Sequence, residues 1–222
     1  MPIDYTKRPS KPAEPAAVSL SKVTLTKAAP RVSLTKQGSV GGLMRINLNW
    51  NARPSSSGGF LKRPAPPIDL DLGCLYEFTD GRKGVVQALG NAFTASPAGI
   101  NEPVIRLDGD DRSGTNSGGE NLIINLAHAD KIGRILVFAL IYEGVANWAD
   151  ADGVVTLFPA AGPQIEVRLD EARNGARICG IALLEQSAGD LSVHREVNYI
   201  EGSQSKLDAA YGWGMNWSPG RK

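Results

Sequence analysis

Acidic side chains are concentrated in two places along the sequence, and both could bind a metal cation. Asp69 and Asp71 lie two positions apart in an apolar stretch, residues 68–78, that is typical of a β-strand. Residues two apart on a strand project to the same face, about 7 Å from each other. Two carboxylates on one face repel each other unless a cation or a basic group lies between them.

The second concentration is a glycine-rich segment between two predicted strands. Residues 107–121 contain four acidic residues, two asparagines and four glycines. Such a segment can wrap a cation with carboxylate, amide and main-chain oxygens, and Ca²⁺ takes roughly six to eight oxygen ligands in a flexible shell. The side chains that could supply oxygens here are those of Asp108, Asp110, Asp111, Asn116 and Glu120.

Two narrower motifs do not fit this segment. An EF-hand would place Arg112 at the fifth ligand position counted from Asp108, and no helices are predicted on either side. Gly109 and Gly114 have the glycine spacing of a phosphate-binding loop, but Thr115 follows where that motif needs a lysine. Composition alone also leaves open a solvated turn whose acids pair with neighbouring arginines.

Other chemistries find little support in the sequence. His128 and His194 are far apart and have no cysteine at ligand spacing, which argues against zinc. The Gly-x-Ser-x-Gly pattern of a hydrolase elbow is absent. A metal-dependent hydrolase and a calcium-dependent carbohydrate-binding module remain the alternatives to a non-enzymatic calcium-binding protein.

Composition indicates one globular domain in a reducing compartment. The 222 residues are 42% hydrophobic, which is enough to fill a core, and both cysteines, Cys74 and Cys179, lie inside apolar runs. This cysteine usage and the lack of a signal-type or membrane-spanning segment predict a cytoplasmic protein, with any membrane contact peripheral. Residues 1–36 hold seven basic and two acidic side chains, but without a continuous basic run, so nucleic-acid binding is not expected.

Strand signals dominate the rest of the chain. Residues 1–17 hold four prolines and predict a disordered tail, followed by a domain over residues 18–222. Short runs rich in Val, Ile, Leu and aromatics, separated by turns such as Asp80-Gly81 and Asn174-Gly175, predict an all-β fold, an antiparallel β-sandwich. One short C-terminal helix is expected at residues 203–211, between Ser203 as N-cap and Gly212. The predicted strands are residues 43–50, 68–78, 84–89, 104–107, 121–126, 132–142, 153–158, 164–169, 176–184 and 191–199.

Several motifs occur in an order that is typical of one family. They are VSLTK at residues 32–36, Trp50-Asn51, IDLD at 68–71, GDDRSG at 109–114 and Gly119-Glu120, followed by a strong apolar strand. On these motifs the chain resembles the TerD-like tellurium-resistance family. YEG at 142–144 and LDAAYGWG at 207–214 are most similar to its TerA-like branch.

The resemblance implies a β-sandwich that holds Ca²⁺ between the Asp-x-Asp strand and the acidic loop. It implies Asp69, Asp71, Asp110 and Glu120 as carboxylate ligands, with Asp108, Asp111 and Asn116 as further candidates. Relatives with two ions have an acid-dense stretch where this chain reads TNSGG at 115–119. Fewer carboxylates predict one site, or a second site of low affinity.

The implied role is resistance to tellurite and other stresses, including phage and some colicins. We expect a binding or scaffolding component without enzymatic activity. Its expected partners are calcium and other proteins of the same resistance system. The basic N-terminal segment leaves open peripheral contact with the inner membrane.

Overall fold

The computed structural model describes residues 22–36, 38, 41–51, 67–108, 118–187 and 189–218. The predicted tail, residues 1–17, and the central part of the acidic loop, residues 109–117, lie outside the described residues. Residues 52–66, a stretch rich in Pro, Ser and Gly, also lie outside the described residues. The described part of the chain folds as two packed β-sheets with one short helix near its end, which confirms the predicted fold class.

One sheet has seven strands within the described residues. In spatial order they are β1 (Lys22–Thr24), β11 (Gln164–Leu169), β10 (Gly153–Phe158), β3 (Leu43–Asn49), β8 (Glu120–Asn125), β7 (Ile105–Leu107) and β6 (Thr94–Ala95). Neighbours are antiparallel except at one edge, where β1 pairs with β11 in parallel. The two-residue strand β6 was not predicted, because two residues are too few to show an alternation of apolar and polar side chains.

The other described sheet has six strands. Their order is β2 (Arg31–Ser33), β13 (Asp190–Ile200), β12 (Ile178–Ser187), β9 (Ile132–Glu143), β4 (Asp69–Phe78) and β5 (Lys83–Val86). The predicted strand at residues 132–142 forms β9, which lies between β12 and β4. Short 3₁₀-helices at Leu89–Asn91 and Leu126–Lys131 complete the described elements.

Alternation along the strands builds the core between the sheets. In β3, Met44, Ile46 and Leu48 are fully buried, while the residues between them are exposed or half-buried. β4 is different because both of its faces are buried along most of its length. Leu72 and Cys74 enter the core between the sheets, whereas Leu75 belongs to a second cluster.

The second cluster lies on the outer face of the six-stranded sheet, under the C-terminal segment. The helix α1 (Gln204–Tyr211) follows Ser203 and ends at Gly212 in the left-handed conformation, as predicted. Ser203 has an extended backbone at the N-cap, but its hydroxyl bonds Ser205 rather than the helix backbone. The buried members of the cluster are Leu75, Leu136, Phe138, Ile178, Leu207 and Trp213.

Both cysteines are free thiols buried inside the fold. No helix in the described part of the chain has the length and apolar character needed to cross a membrane.

Candidate metal centre

Several strand ends that carry family motifs meet at one end of the sandwich. β3 ends where β8 begins, so that Leu48 lies opposite Glu120. The indole Nε1 of Trp50 donates a hydrogen bond to the carbonyl oxygen of Ile68, 2.9 Å away, immediately before β4 begins at Asp69. The two sheets are therefore tied together where the predicted ligand residues start their strands.

Three of the predicted carboxylates are buried at this end. Asp69 and Asp71 are each 3% exposed, and Glu120 is 1% exposed. Glu120 Oε2 accepts a hydrogen bond from the main-chain nitrogen of Leu72 at 2.6 Å. A carboxylate of the seven-stranded sheet thus reaches β4 beside Asp71, across the interface between the sheets.

The direction of the Glu120 side chain follows from strand alternation. Leu122 and Ile124, two and four positions further along β8, are fully buried in the core between the sheets. Glu120 shares their face of the strand and so points inward. It lies at the end of the core, where a carboxylate can reach the edge of β4.

The two aspartates face a different neighbour strand. Asp71 lies opposite Leu140 of β9, and Asp69 lies opposite Glu143. A register shift separates the two pairs, with Tyr142 as the extra residue of β9. Because opposite residues share a face, Asp71 lies on the side of β4 that carries Leu140 and the outer cluster. The aspartates and Glu120 therefore approach the end of the sandwich from different sides of β4.

Gly119 fixes the entry into β8. Its φ of +61° is in the left-handed region, and a Cβ built there would overlap the carbonyl oxygen of Leu48. The amide of Asn47 donates hydrogen bonds to Gly118 O at 2.5 Å and to the side-chain oxygen of Asn121 at 3.0 Å. These contacts hold the residues on both sides of Glu120; nothing in the sequence distinguished Asn47 for this role.

Gly144 fixes the corresponding position beside Asp69. Its φ is +94°, and a Cβ there would overlap the main chain of Pro67 and Ile68. Gly144, the last residue of the YEG motif, therefore allows the end of β9 to lie close to the start of β4.

Of the four remaining candidate ligands, the structure describes only Asp108. Asp108 is exposed, and its Oδ1 lies 3.6 Å from a guanidinium nitrogen of Arg106, the kind of pairing with a neighbouring arginine that a solvated turn would have. The Asp108 main-chain nitrogen bonds Asn121 O at 2.7 Å, which places it beside the start of β8. Asp110, Asp111 and Asn116 lie outside the described residues. Within the described part of the chain, no three His, Cys, Asp or Glu side chains are grouped closely enough to hold a metal ion.

A further buried carboxylate, Asp208, lies in the C-terminal segment and was not singled out as a site residue. Its oxygens accept hydrogen bonds from Gly214 N at 2.7 Å, Met215 N at 2.9 Å and Trp217 Nε1 at 2.8 Å. Desolvation raises the pKa of Asp208, but these hydrogen bonds outweigh it and hold that pKa below its ordinary value. The protein itself satisfies this carboxylate, so its role is structural.

Comparison with known proteins supports the family resemblance. Tellurium resistance protein TerA from an Alcaligenes species is 47% identical over 208 residues. The chain is thus similar to a tellurium-resistance protein of the TerA type. The match covers 92% of this chain and 60% of that TerA, so the chain spans about three-fifths of its relative's length. The predicted resemblance to the TerD-like family is thereby confirmed, although no family model matches the chain.

Proposed function

We propose that this chain is a calcium-binding β-sandwich that serves a tellurite- or stress-resistance system as a binding or scaffolding component. The observation that carries the proposal is the burial of Asp69, Asp71 and Glu120 at one end of the sandwich. Burying carboxylates is costly unless positive charge and hydrogen bonds compensate for lost water. The relationship to TerA supports the link to tellurium resistance.

The chemistry of the donor set fits Ca²⁺. The candidate ligands offer carboxylate and amide oxygens only, without the thiolate or imidazole ligands that dominate structural zinc sites. In this proposal, Asp69, Asp71 and Glu120 supply the buried part of the shell, and calcium binding draws together side chains that are not grouped closely enough for one ion in the described structure. Asp110 supplies a further carboxylate, and Asp108, Asp111 and Asn116 are the additional candidates.

Calcium would link metal occupancy to the stability of the fold. The three buried carboxylates come from β4 of one sheet and β8 of the other. Neutralising them with one cation lowers their mutual repulsion and adds a connection between the sheets. A ligand that binds only the folded state also raises its stability by mass action. The acidic loop, as part of the site, contributes to the surface presented to partners.

The proposed role does not include chemistry on tellurite. Cys74 and Cys179 are the chain's two cysteines, and both are fully buried. Desolvation raises the pKa of each thiol far above its ordinary value. Since the thiolate is the reactive form, neither cysteine is suited to reduce an oxyanion.

We place the protein in the cytoplasm, working with other proteins of the same resistance system. The basic N-terminal segment supplies peripheral contact with an anionic membrane in this proposal.

The melting temperature of metal-stripped protein, with and without calcium, tests the binding role. At a calcium concentration about a hundredfold above Kd, we expect the melting temperature to rise by about 5–10 °C. Glu120→Gln keeps an oxygen for the Leu72 N–H bond but removes the charge, so it should fold and lose most of this rise. Glu201→Gln, at an exposed position, is the matched control and should keep it.

An equal calcium response in Glu120→Gln and in the control would remove Glu120 from the site. The link to resistance has a separate readout, which is survival in tellurite of a strain whose own copy is replaced by either variant. We expect Glu120→Gln to reduce survival and Glu201→Gln to leave it unchanged.

A further inference from the structure

A groove runs along the outer side of β5, between that strand and the C-terminal segment. It consists of two adjoining cavities of about 850 and 410 Å³. The two share Val85, Asn216 and Trp217, so they form one continuous depression with Trp217 in its middle part. These volumes are of the size that binds small molecules and short oligomers.

The described side chains that line the groove are polar and apolar in similar measure, the apolar ones being those of Val85, Leu89, Ala92 and Met215. The others present three amides, three hydroxyls and one indole, and Lys83 at one end is the charged residue among them. The amides and hydroxyls belong to Gln87, Gln204, Asn216, Ser203, Ser205 and Ser218.

The two glutamine amides are held in place by hydrogen bonds and keep further bonding capacity. Gln204 Nε2 donates to Gln87 Oε1 at 3.1 Å, and Gln87 Nε2 donates to Leu89 O at 3.1 Å. A primary amide has two N–H donors and an oxygen that can accept two hydrogen bonds. Each glutamine therefore has further donor and acceptor capacity for a bound molecule, on a side chain whose orientation is already set.

Trp217 provides a fixed aromatic surface. Its Nε1 donates to the buried carboxylate of Asp208 at 2.8 Å, which anchors the polar edge of the indole. The side chain is half-buried and contributes to both cavities. A ring held in this way can pack against an apolar face of a ligand at little cost in side-chain entropy.

We propose that this groove binds a neutral oligosaccharide. A sugar ring offers hydroxyls that both donate and accept, which amide and serine side chains can match in pairs, and C–H faces that pack on an aromatic ring. Phosphate- or carboxylate-bearing ligands fit less well, because their recognition needs several basic groups and only Lys83 lines the groove among the described residues.

The proposed sugar site is independent of the calcium proposal. None of the described residues lining the groove belongs to the predicted ligand set. Calcium removal should therefore leave sugar binding unchanged. This property separates the groove from a carbohydrate site built on the acidic loop, in which calcium would be required.

Isothermal titration with cellohexaose, maltohexaose and chitohexaose tests the proposal. We expect saturable binding of at least one of them, equal in calcium and in excess chelator. Asn216→Ala and Gln204→Ala should each weaken it about fivefold, as expected for loss of one neutral hydrogen bond. Asn101→Ala is the matched control, because this exposed amide lies outside the groove, and its affinity should equal that of the unaltered protein.

Any of three results would overturn the proposal. One is the absence of saturable heat with all three sugars at concentrations up to about 10 mM, ten times a weak Kd of 1 mM. Another is binding that Asn216→Ala and Gln204→Ala leave unchanged, and the third is binding that chelator abolishes. Circular dichroism of each variant verifies that a loss of binding is not a loss of fold.

Discussion

Two buried carboxylates, Asp208 and Glu120, illustrate different ways of accommodating a charge. Asp208 receives two main-chain N–H donors and an indole N–H within its own segment. Glu120 comes from one sheet and binds the main chain of the other, at Leu72. The first arrangement organises a local turn, whereas the second joins distant parts of the chain at the candidate metal centre.

The stability contribution of Asp208 should depend on pH in the acid range. Because the folded-state pKa of Asp208 is lowered, its contribution is present above its unfolded pKa of about 3.9 and is lost as pH falls through the lowered value. We expect Asp208→Asn to lower the free energy of unfolding by about 2 kcal/mol at pH 7, since an amide NH₂ would face N–H donors. The difference from the unaltered protein should shrink below pH 4.

Urea denaturation at pH 7 and at pH 3 measures this effect. Asp170→Asn is the control, because it removes a carboxylate from an exposed position. A pH-independent loss of stability in Asp208→Asn would show that charge is not the cause.

Residue types predicted part of the site. IDLD and Gly119-Glu120 identified three carboxylates that the structure buries at one end of the sandwich. Asp208 and Asn47 were not foreseen, because their importance comes from main-chain groups that the fold brings to them. The metal-ligand roles of Asp69, Asp71 and Glu120 stay predictions, as do those of the loop residues Asp110, Asp111 and Asn116.

Strand ends are positioned by glycines that approach the neighbouring main chain. Gly144 and Gly175 have nearly the same φ, +94° and +91°, but only at Gly144 does an added Cβ meet other atoms within 4 Å. Alanine at Gly175 would therefore have the cost of a left-handed backbone alone, whereas alanine at Gly144 would also have the cost of a clash with the main chain.

We expect Gly175→Ala to lower the free energy of unfolding by about 1–2 kcal/mol, the usual cost of a left-handed alanine. Gly144→Ala should cost about 1–3 kcal/mol more, because the start of β4 must move away. Chemical denaturation of both variants measures the difference. Equal losses would mean that the end of β9 adjusts without disturbing Ile68 and Asp69.

Element boundaries were predictable where turn chemistry marks them. β10 and β11 have the predicted bounds, Gly153–Phe158 and Gln164–Leu169. The parallel pairing of β1 with β11 was not predictable, because the partners are more than 130 residues apart and local alternation carries no information about which strand is adjacent.

At the scale of the whole molecule, the C-terminal segment acts as a third layer on the sandwich. Arg134 of β9 lies over the Trp213 ring at 3.8 Å, pairs with Glu77 at 2.7 Å and donates to Tyr211 O at 3.1 Å. Trp213 itself is 1% exposed and donates its indole N–H to Tyr76 O. The sequence predicted the helix α1, but it did not predict that the helix covers the outer face of the six-stranded sheet.

Trp213→Ala should therefore detach this layer. We expect a loss of about 3–5 kcal/mol in the free energy of unfolding, the usual cost of removing a buried tryptophan. Binding of a hydrophobic dye should increase as the outer cluster becomes exposed. Trp217→Phe, at a half-buried position, should show a smaller change in both measurements. A dye signal unchanged in Trp213→Ala would show that the sheet does not depend on this cover.

The proposed function depends on calcium binding at the acidic end of the sandwich. Titration of metal-stripped protein with Ca²⁺, and separately with Mg²⁺, by calorimetry is the most direct measurement. We predict saturable binding of Ca²⁺ near one equivalent, with weaker or no binding of Mg²⁺ because that ion demands a stricter octahedral shell. Absence of calcium binding, or equal binding by Asp71→Asn, would contradict the account.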